Sequence, residues 1–272
     1  MEGKVIAVAS GVRGGVGKSV LSLLIAYLSC KTLRRLREKN YIYFNSERVL
    51  LIDLLGGVTK IITSGMKEEE KMKIESPPNL REFITQGNKR SFRIVKIGDV
   101  ALYLVPWDSN PIEITEDLAS EFINLIAFLK KVFGLIVIDF PAFNSHPFYY
   151  ILMNSDIQIH VYSHERTCVE QIYSSLARVK GSNVIVVLNK DLERYYEWNP
   201  VDFLKEAYDI SDGDLIRVSL SPYLSLISTK GLQTLQYLEK TRVFSKGEKE
   251  LRKIGKQIGD LVSVIIDFAI SQ

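Results

Sequence analysis

The sequence contains little of what would support a disulfide scaffold or a protein-bound metal cluster. It has two cysteines in 272 residues, Cys30 and Cys168, and neither has a second cysteine or a histidine at ligand spacing. This usage suits a reducing compartment and gives no metal site. The three histidines, His146, His160 and His164, form no ligand pattern either, and we expect them at the surface or at strand ends.

Long apolar runs and linkers are also missing. No stretch approaches the ~20 uninterrupted apolar residues of a membrane-spanning helix, and the first apolar run is only as long as a strand. We therefore expect a cytoplasmic protein without a signal peptide. With 46% hydrophobic and 25% charged residues and no Gly/Ser-rich or Pro-rich linker, we expect a single domain over residues 1–272.

Positive charge is unevenly distributed, although the net charge is only +3. One basic cluster contains Lys31, Arg34, Arg35, Arg37 and Lys39, interrupted by Glu38. A second contains Lys240, Arg242, Lys246, Lys249, Arg252, Lys253 and Lys256, interrupted by Glu248 and Glu250. A solvated helix face is the simpler interpretation of each cluster. The functional interpretation is contact with nucleic acid or with an anionic membrane surface.

Short apolar runs alternate with helix-like stretches. The runs are apolar nearly throughout, which is typical of strands buried on both faces of a parallel sheet. They are 4–9, 49–52, 100–105, 135–138, 157–162 and 183–188. Helices are predicted at 20–37, 79–84, 116–132 and 168–179, and residues 67–78 are predicted to be an exposed polar connection. The alternation predicts an α/β fold: a doubly wound, mostly parallel sheet with helices on both faces and ligands at the carboxyl ends of the strands.

A glycine-rich loop follows the first predicted strand. Residues 13–19 read Arg-Gly-Gly-Val-Gly-Lys-Ser, and a helix-like run begins at Val20. Strand, glycine loop and helix in this order are typical of a phosphate-binding loop, in which backbone N–H groups and the helix N-terminus bind phosphate. Lys18 can reach the outer phosphates, and the Ser19 hydroxyl is placed to hold Mg²⁺. The residues expected to bind nucleotide are Gly14, Gly15, Val16, Gly17, Lys18, Ser19 and Val20.

Two predicted strands end in aspartate, at Asp53 and Asp139. A carboxylate after a buried strand is costly without a partner, and a Mg²⁺ held by the nucleotide would supply one. A single aspartate in this position is commonly a turn or helix cap. Two of them downstream of a phosphate loop favour a metal site formed by Ser19, Asp53 and Asp139.

The loop resembles that of the ParA/MinD family of dimerising P-loop ATPases, which reads Lys-Gly-Gly-x-Gly-Lys-Ser/Thr. As in that family, the first glycine of the common phosphate loop is missing, because Val12 occupies its position. The resemblance implies a P-loop NTPase fold, ATP and Mg²⁺ as cofactors, and a homodimer that forms on ATP binding. In the family the first lysine crosses to the nucleotide of the partner subunit. Arg13 stands at this position, and its action in trans is a hypothesis.

Further motifs carry the resemblance along the chain. The segment Asp139-Phe-Pro-Ala resembles the family's Walker B region, so Asp139 is expected to bind Mg²⁺ through water. Asp53 resembles the first aspartate of the family's Asp-x-Asp segment, whose loop senses the γ-phosphate. The implied catalytic residues are Arg13, Lys18 and Asp53. Asn189 resembles the strand-end asparagine that reads adenine in the family, with a plain turn residue as the alternative.

The chain departs from the family pattern at Leu55, where the family has its second aspartate. That aspartate is associated with positioning the attacking water, and leucine cannot accept a hydrogen bond, so we predict slow ATP hydrolysis. The segment Asn189-Lys190-Asp191 places its aspartate one position early for a guanine-specific motif, which favours ATP over GTP. Between Gly17 and Asp53 the chain is longer than is usual in the family, with the excess around residues 32–46.

The resemblance leaves several functions open. We favour a ParA-like ATPase that dimerises on ATP and binds DNA nonspecifically in chromosome or plasmid segregation. Its expected DNA contacts are Arg252, Lys253 and Lys256, its expected partner is a small ParB-like DNA-binding protein, and it would associate with the nucleoid. One alternative is a MinD-like membrane-cycling regulator, although the apolar stripe over 251–269 is more typical of a helix packed on the sheet. A nucleotide-gated scaffold with little hydrolysis is another. An iron–sulfur or electron carrier needs paired cysteines, which Cys30 and Cys168 do not provide.

Overall fold

The computed structural model describes residues 1–11, 14–41, 43–54, 56–75, 80–86, 92–107, 114–142, 146–176, 183–192, 198–211, 214–231, 234–235 and 249–271. Within this part of the chain, the strands form one eight-stranded sheet in the order β3-β4-β2-β5-β1-β6-β7-β8. They are β1 (Lys4–Ala9), β2 (Val49–Asp53), β3 (Arg93–Ile97), β4 (Val100–Val105), β5 (Leu135–Asp139), β6 (Ile157–Ser163), β7 (Val184–Asp191) and β8 (Leu215–Ser219). Neighbouring strands are parallel except for β3 and β4. The predicted α/β class is confirmed.

Most of the described helices lie between strands, and the last two follow β8. They are α1 (Lys18–Glu38), α2 (Gly57–Thr63), α3 (Glu68–Glu75), α4 (Leu80–Gln86), α5 (Glu116–Leu129), α6 (His146–Met153), α7 (Arg166–Leu176), α8 (Pro200–Tyr208), α9 (Pro222–Lys230) and α10 (Lys249–Ser271). Local sequence fixes several starts: Thr115, Asn199 and Ser221 each accept a hydrogen bond from a backbone N–H of the first turn of α5, α8 and α9. Among the described residues, no helix is both long and apolar enough to cross a membrane.

The central strands are buried on both faces. Every residue of β2, β5 and β6 is buried, which explains why their sequences are apolar nearly throughout. The two edge strands differ, because β3 and β8 each have buried and more exposed positions. Neither was predicted, since an edge strand that is half-exposed does not give a continuous apolar run. The predicted elements match observed ones with bounds that differ by up to three residues. Residue 79 and residues 177–179 of the predicted helices lie outside the described part.

Two sequence-based expectations need correction. The connection predicted at 67–78 contains α3, which has no buried residue, so it is exposed and polar but helical, and residues 76–78 lie outside the described part. The expectation for His160 was wrong, because this side chain is fully buried within β6. Its ring nitrogens contact the Tyr208 hydroxyl at 2.9 Å and Gln158 Oε1 at 3.2 Å. Burial lowers the pKa of His160 to about 3, so its ring is neutral at physiological pH.

Candidate nucleotide site

The phosphate loop joins β1 to α1 at the edge of the sheet where the parallel strands end, here called the carboxyl edge. Gly15 and Gly17 have φ of +85° and +86°, a left-handed conformation that favours glycine. Helix α1 has no side-chain hydrogen bond at its N-cap and no acidic residue in its first turn. Its first N–H groups are therefore oriented for an external anion. No described atom lies within 4 Å of where a Cβ would stand at Gly14 or Gly15, so the loop has open space beside it.

Lys18, Ser19 and Asp139 meet directly beside this loop. Strand β5 is the neighbour of β1, with Val8 paired to Asp139, and this pairing brings the strand-end carboxylate to the start of α1. Lys18 Nζ lies 3.1 Å from Asp139 Oδ1, and the Ser19 hydroxyl donates to Asp139 Oδ2 at 2.7 Å. Ser22 also donates to Asp139, at 2.9 Å. The structure thus brings Lys18, which the sequence assigned to phosphate, together with Ser19 and Asp139, two of the three residues that it assigned to metal.

Asp53 lies at the end of β2, next to Asp139 in the strand register. Its Oδ1 accepts a hydrogen bond from Gly56 N at 2.8 Å, and its Oδ2 accepts one from Thr59 N at 2.6 Å. These contacts make Asp53 a buried cap for the turn into α2. Its role as a metal ligand stays a prediction, as do the roles of Arg13 and Leu55, which lie outside the described residues.

At Gly57 the turn that Asp53 caps approaches Ser19 and Asp139. A Cβ at this position would stand 2.2 Å from Ser19 Oγ and 3.3 Å from Asp139 Oδ2. Only glycine allows the backbone to approach Ser19 this closely. A change in the conformation of the turn at Asp53 would therefore displace the side chains of Ser19 and Asp139.

Asn189, in β7, contacts the phosphate loop. Its Nδ2 donates to the Val16 carbonyl at 2.7 Å, which fixes the orientation of the amide, because a carbonyl can only accept. Its Oδ1 is buried and has no hydrogen-bond partner among the described residues. An unpaired acceptor at this position would match a ligand that carries an N–H donor.

A cavity of about 570 Å³ extends from this loop. Ligand pockets commonly have volumes of roughly 300–1,000 Å³, so this one is large enough for a small molecule. Sequence reasoning missed much of its far wall, which is formed by α2, by the turn into α9 and by α9 itself. The missed lining residues include Lys60, Ser221, Leu224, Ser225, Ser228 and Thr229. Ser221-Pro222 is a recognisable helix start, but its sequence does not indicate that α9 lies opposite the phosphate loop.

The donor set fits Mg²⁺ better than a tightly bound transition metal. Among the described residues, no group of three or more His, Cys, Asp or Glu could hold a metal ion. Mg²⁺ commonly uses one or two protein oxygens together with phosphates and waters. The adjacent Ser19 and Asp139 oxygens supply such a set.

The basic clusters lie at opposite edges of the sheet. Gln257 of α10 hydrogen-bonds to Ser219 at the end of β8, so the neighbouring Arg252, Lys253 and Lys256 lie near the carboxyl edge, and all three are exposed. Leu33, in contrast, approaches Gly134 just before β5, so the cluster on α1 lies near the amino edge. There Arg34 pairs with Glu38 and Asp99. Lys240, Arg242 and Lys246 lie outside the described residues.

Solved structures share this architecture over nearly the whole chain. MinD of Pyrococcus horikoshii OT3, solved with Mg-ADP, superposes with a TM-score of 0.65 at 14% identity, covering 97% of both chains. The chain has the fold of the MinD and ParA ATPases. A ParA family ATPase from Chlorobium tepidum TLS gives a TM-score of 0.63 at 15% identity, covering 96% of this chain and 98% of that one.

A third structure with this fold is a putative plasmid partition protein from Borrelia burgdorferi B31 bound to AMPPNP. It gives a TM-score of 0.62 at 17% identity, covering 97% of this chain and all 100% of the other. No protein-family model matches the sequence, and no curated protein matches it. The shared fold agrees with the resemblance that the phosphate loop carries.

Proposed function

We propose that this protein binds ATP with Mg²⁺ between the phosphate loop and α9. The convergence of Lys18, Ser19 and Asp139 at the start of α1 is the observation that carries this proposal. The N–H groups of residues 14–20 and the Lys18 ammonium would hold the phosphates. Ser19 would bind the metal directly and Asp139 through water, and the bound Mg²⁺ neutralises charge on the outer phosphates. The Mg-ADP and AMPPNP complexes of proteins with this fold support the choice of ligand.

We further propose that the base is adenine. Asn189 Nδ2 is engaged by Val16, so the group it can offer a base is the buried Oδ1 acceptor. The 6-amino group of adenine is a donor, whereas the 6-oxo group of guanine is an acceptor and would leave Oδ1 unpaired. A site that reads hydrogen bonds in this way discriminates strongly between the two bases.

Slow hydrolysis and ATP-dependent dimerisation complete the proposal. Leu55 offers no acceptor for the attacking water, and Arg13 would reach the nucleotide of a partner subunit. Because Gly57 touches Ser19, the turn capped by Asp53 can respond to the occupant of the metal site. A dimer that forms on ATP would present two copies of the α10 basic surface, which is defined by Arg252, Lys253 and Lys256, to one DNA duplex.

The packing of α10 favours DNA over a membrane as the partner surface. The apolar stripe of this helix is buried against the rest of the protein: Ile254, Ile258, Leu261, Val262, Ile265, Ile266 and Ala269. A membrane-binding helix needs such a stripe available for lipid. We therefore propose a ParA-like role in DNA segregation with a ParB-like partner, and membrane cycling as in MinD is the outcome that vesicle binding would reveal.

Nucleotide uptake tests the first part of this proposal. Calorimetry on the whole protein should record binding of Mg·ATP to the wild type and at least a tenfold weaker affinity for Lys18→Ala. Lys131→Ala, an exposed lysine at the opposite edge of the sheet, is the control and should bind like the wild type. A wild-type protein that takes up no Mg·ATP would refute the proposal.

Gel shift with random-sequence DNA tests the second part. We expect ATP-dependent binding by the wild type and its loss when Arg252, Lys253 and Lys256 are replaced by Glu. The charge-matched control replaces three exposed residues of the other cluster by Glu: Arg35, Arg37 and Lys39. This variant should retain DNA binding. Equal loss in both variants, or ATP-dependent flotation with anionic vesicles and no DNA binding, would overturn the α10 assignment.

A further inference from the structure

The end of β7 does not follow the regular sheet. Asn189 pairs with Val218 of β8, and pairing resumes two residues later between Asp191 and Ser219, so Lys190 forms a bulge. Lys190 has φ +58°, a left-handed conformation that is unfavourable for a residue with a Cβ. In a regular strand, consecutive side chains point to opposite faces, whereas a bulge can redirect one of them. Here the bulge sends two consecutive side chains to the same loop.

These side chains fasten two consecutive carbonyls of the phosphate loop. Asn189 Nδ2 donates to the Val16 carbonyl, and Lys190 Nζ donates to the Gly15 carbonyl. Gly17 accommodates this arrangement, because a Cβ there would stand 2.3 Å from Asn189 Nδ2. In a phosphate loop the N–H groups face the ligand. The carbonyls of Gly15 and Val16 are therefore the groups by which the protein can hold the loop without occupying the phosphate cradle.

Contacts that do not involve the loop hold the bulge itself. The Lys190 carbonyl accepts a hydrogen bond from His164 Nδ1 at 2.9 Å. Arg217 Nε donates to Asp191 Oδ2 at 2.6 Å, and the Asp191 carbonyl accepts from Leu220 N at 3.0 Å. The Lys190 carbonyl and the residue that follows it are thus held by contacts outside the loop.

We propose that Lys190 is a positioning residue for the phosphate loop. Its ammonium holds the Gly15 carbonyl, so that the loop already has its binding shape before nucleotide arrives. A loop with two left-handed glycines has many other conformations available, and ordering it on binding would reduce affinity. The inference rests on the proposed nucleotide binding. It adds that affinity depends on a side chain that reaches the loop from outside its own segment.

The test compares Lys190→Met, Lys190→Arg and the control Lys131→Met. We expect Lys190→Met to weaken Mg·ATP and Mg·ADP binding by a similar factor of about ten, since the loop binds phosphates common to both. Lys190→Arg should recover part of the affinity, because a guanidinium can donate to the same carbonyl. Lys131→Met should match the wild type. In nucleotide-free protein, amide exchange at residues 14–17 should accelerate in Lys190→Met alone.

Two results would overturn the inference while wild-type binding stands. One is unchanged affinity and exchange in Lys190→Met. The other is weaker binding of Mg·ATP with unchanged Mg·ADP, which would mean a direct contact with the γ-phosphate. Failure of the wild type to bind nucleotide would instead refute the proposed function. The amide-exchange measurement would then still test whether Lys190 holds the phosphate loop. If Lys190→Met does not fold, Lys190→Gln, whose side chain is shorter and uncharged, replaces it with the same expectations.

Discussion

At the scale of single residues, Gly57 sets the geometry of the metal site by having no side chain. We predict that Gly57→Ala lowers Mg·ATP affinity at least tenfold, because its Cβ would stand 2.2 Å from Ser19 Oγ and would push apart the turn and α1. Calorimetry checks the affinity, and thermal melting checks the fold. Gly259→Ala is the control, since a Cβ at that position meets no described atom within 4 Å. Equal affinities in the two variants would contradict this account of Gly57.

His160 gives a second prediction at this scale, for the pH dependence of stability. Its pKa is about 3 in the folded protein against 6.5 for the free side chain. Between these values the unfolded chain binds a proton that the folded protein does not. Stability therefore falls as the pH is lowered from 6.5, by up to about 1.4 kcal/mol per pH unit from this one residue.

His160→Gln keeps a neutral polar side chain in this place and removes the titration. We expect its free energy of unfolding, measured with urea between pH 7 and pH 4.5, to decrease less steeply than that of the wild type. His164→Gln should keep the wild-type slope, because His160 is intact in that variant. Parallel curves for wild type and His160→Gln would show that this histidine does not contribute.

At the scale of elements, helix α10 contains a glycine that no contact requires. A glycine inside a helix costs about 0.5–1 kcal/mol relative to alanine, because it loses more backbone freedom on folding. We predict that Gly259→Ala raises the free energy of unfolding by about that amount, as measured by urea denaturation.

Gly134→Ala is the contrasting variant, in the turn that leads into β5. Its Cβ would stand 2.1 Å from the Ser46 carbonyl oxygen, so the backbone would have to move, and stability should fall. Opposite signs for the two substitutions are expected. A destabilised Gly259→Ala protein would mean that α10 packs more tightly than described.

At the scale of the whole molecule, the proposed dimer predicts how DNA binding depends on salt. Each protomer offers Arg252, Lys253 and Lys256 near the carboxyl edge. If all six cations of a dimer contact phosphates, the logarithm of affinity should fall with the logarithm of salt concentration with a slope of about −5. Fluorescence anisotropy with labelled duplex DNA and ATP measures this slope.

Light scattering with ATP, ADP and no nucleotide identifies the species that binds. We expect a dimer with ATP alone. Replacement of Lys253 by Gln should make the slope shallower by about 2, one cation per protomer. A slope near zero, or DNA binding by a monomer without ATP, would count against the dimer model. The expectation of a single domain over residues 1–272 also stays a prediction at this scale.

The sequence by itself determined the central part of this fold and the start of its site. Strands β1, β2, β5 and β6 are buried on both faces, so burial requires apolar residues at nearly every position and leaves a readable pattern. The phosphate loop was equally readable, because its glycines, Lys18 and Ser19 are contiguous in the chain. Strand ends at Asp53 and Asp139 followed from the same runs.

Only the tertiary structure decided which of these residues meet and which contacts each of them makes. Asp53 and Asp139 have the same local sequence context, yet one caps a turn and the other contacts Lys18 and Ser19, because strand order and loop path set their neighbours. The burial of His160 and the bulge that carries Lys190 to Gly15 likewise depend on elements far apart in the chain. Local patterns specify which segments are buried, whereas contacts between distant segments arise only when the sheet has assembled.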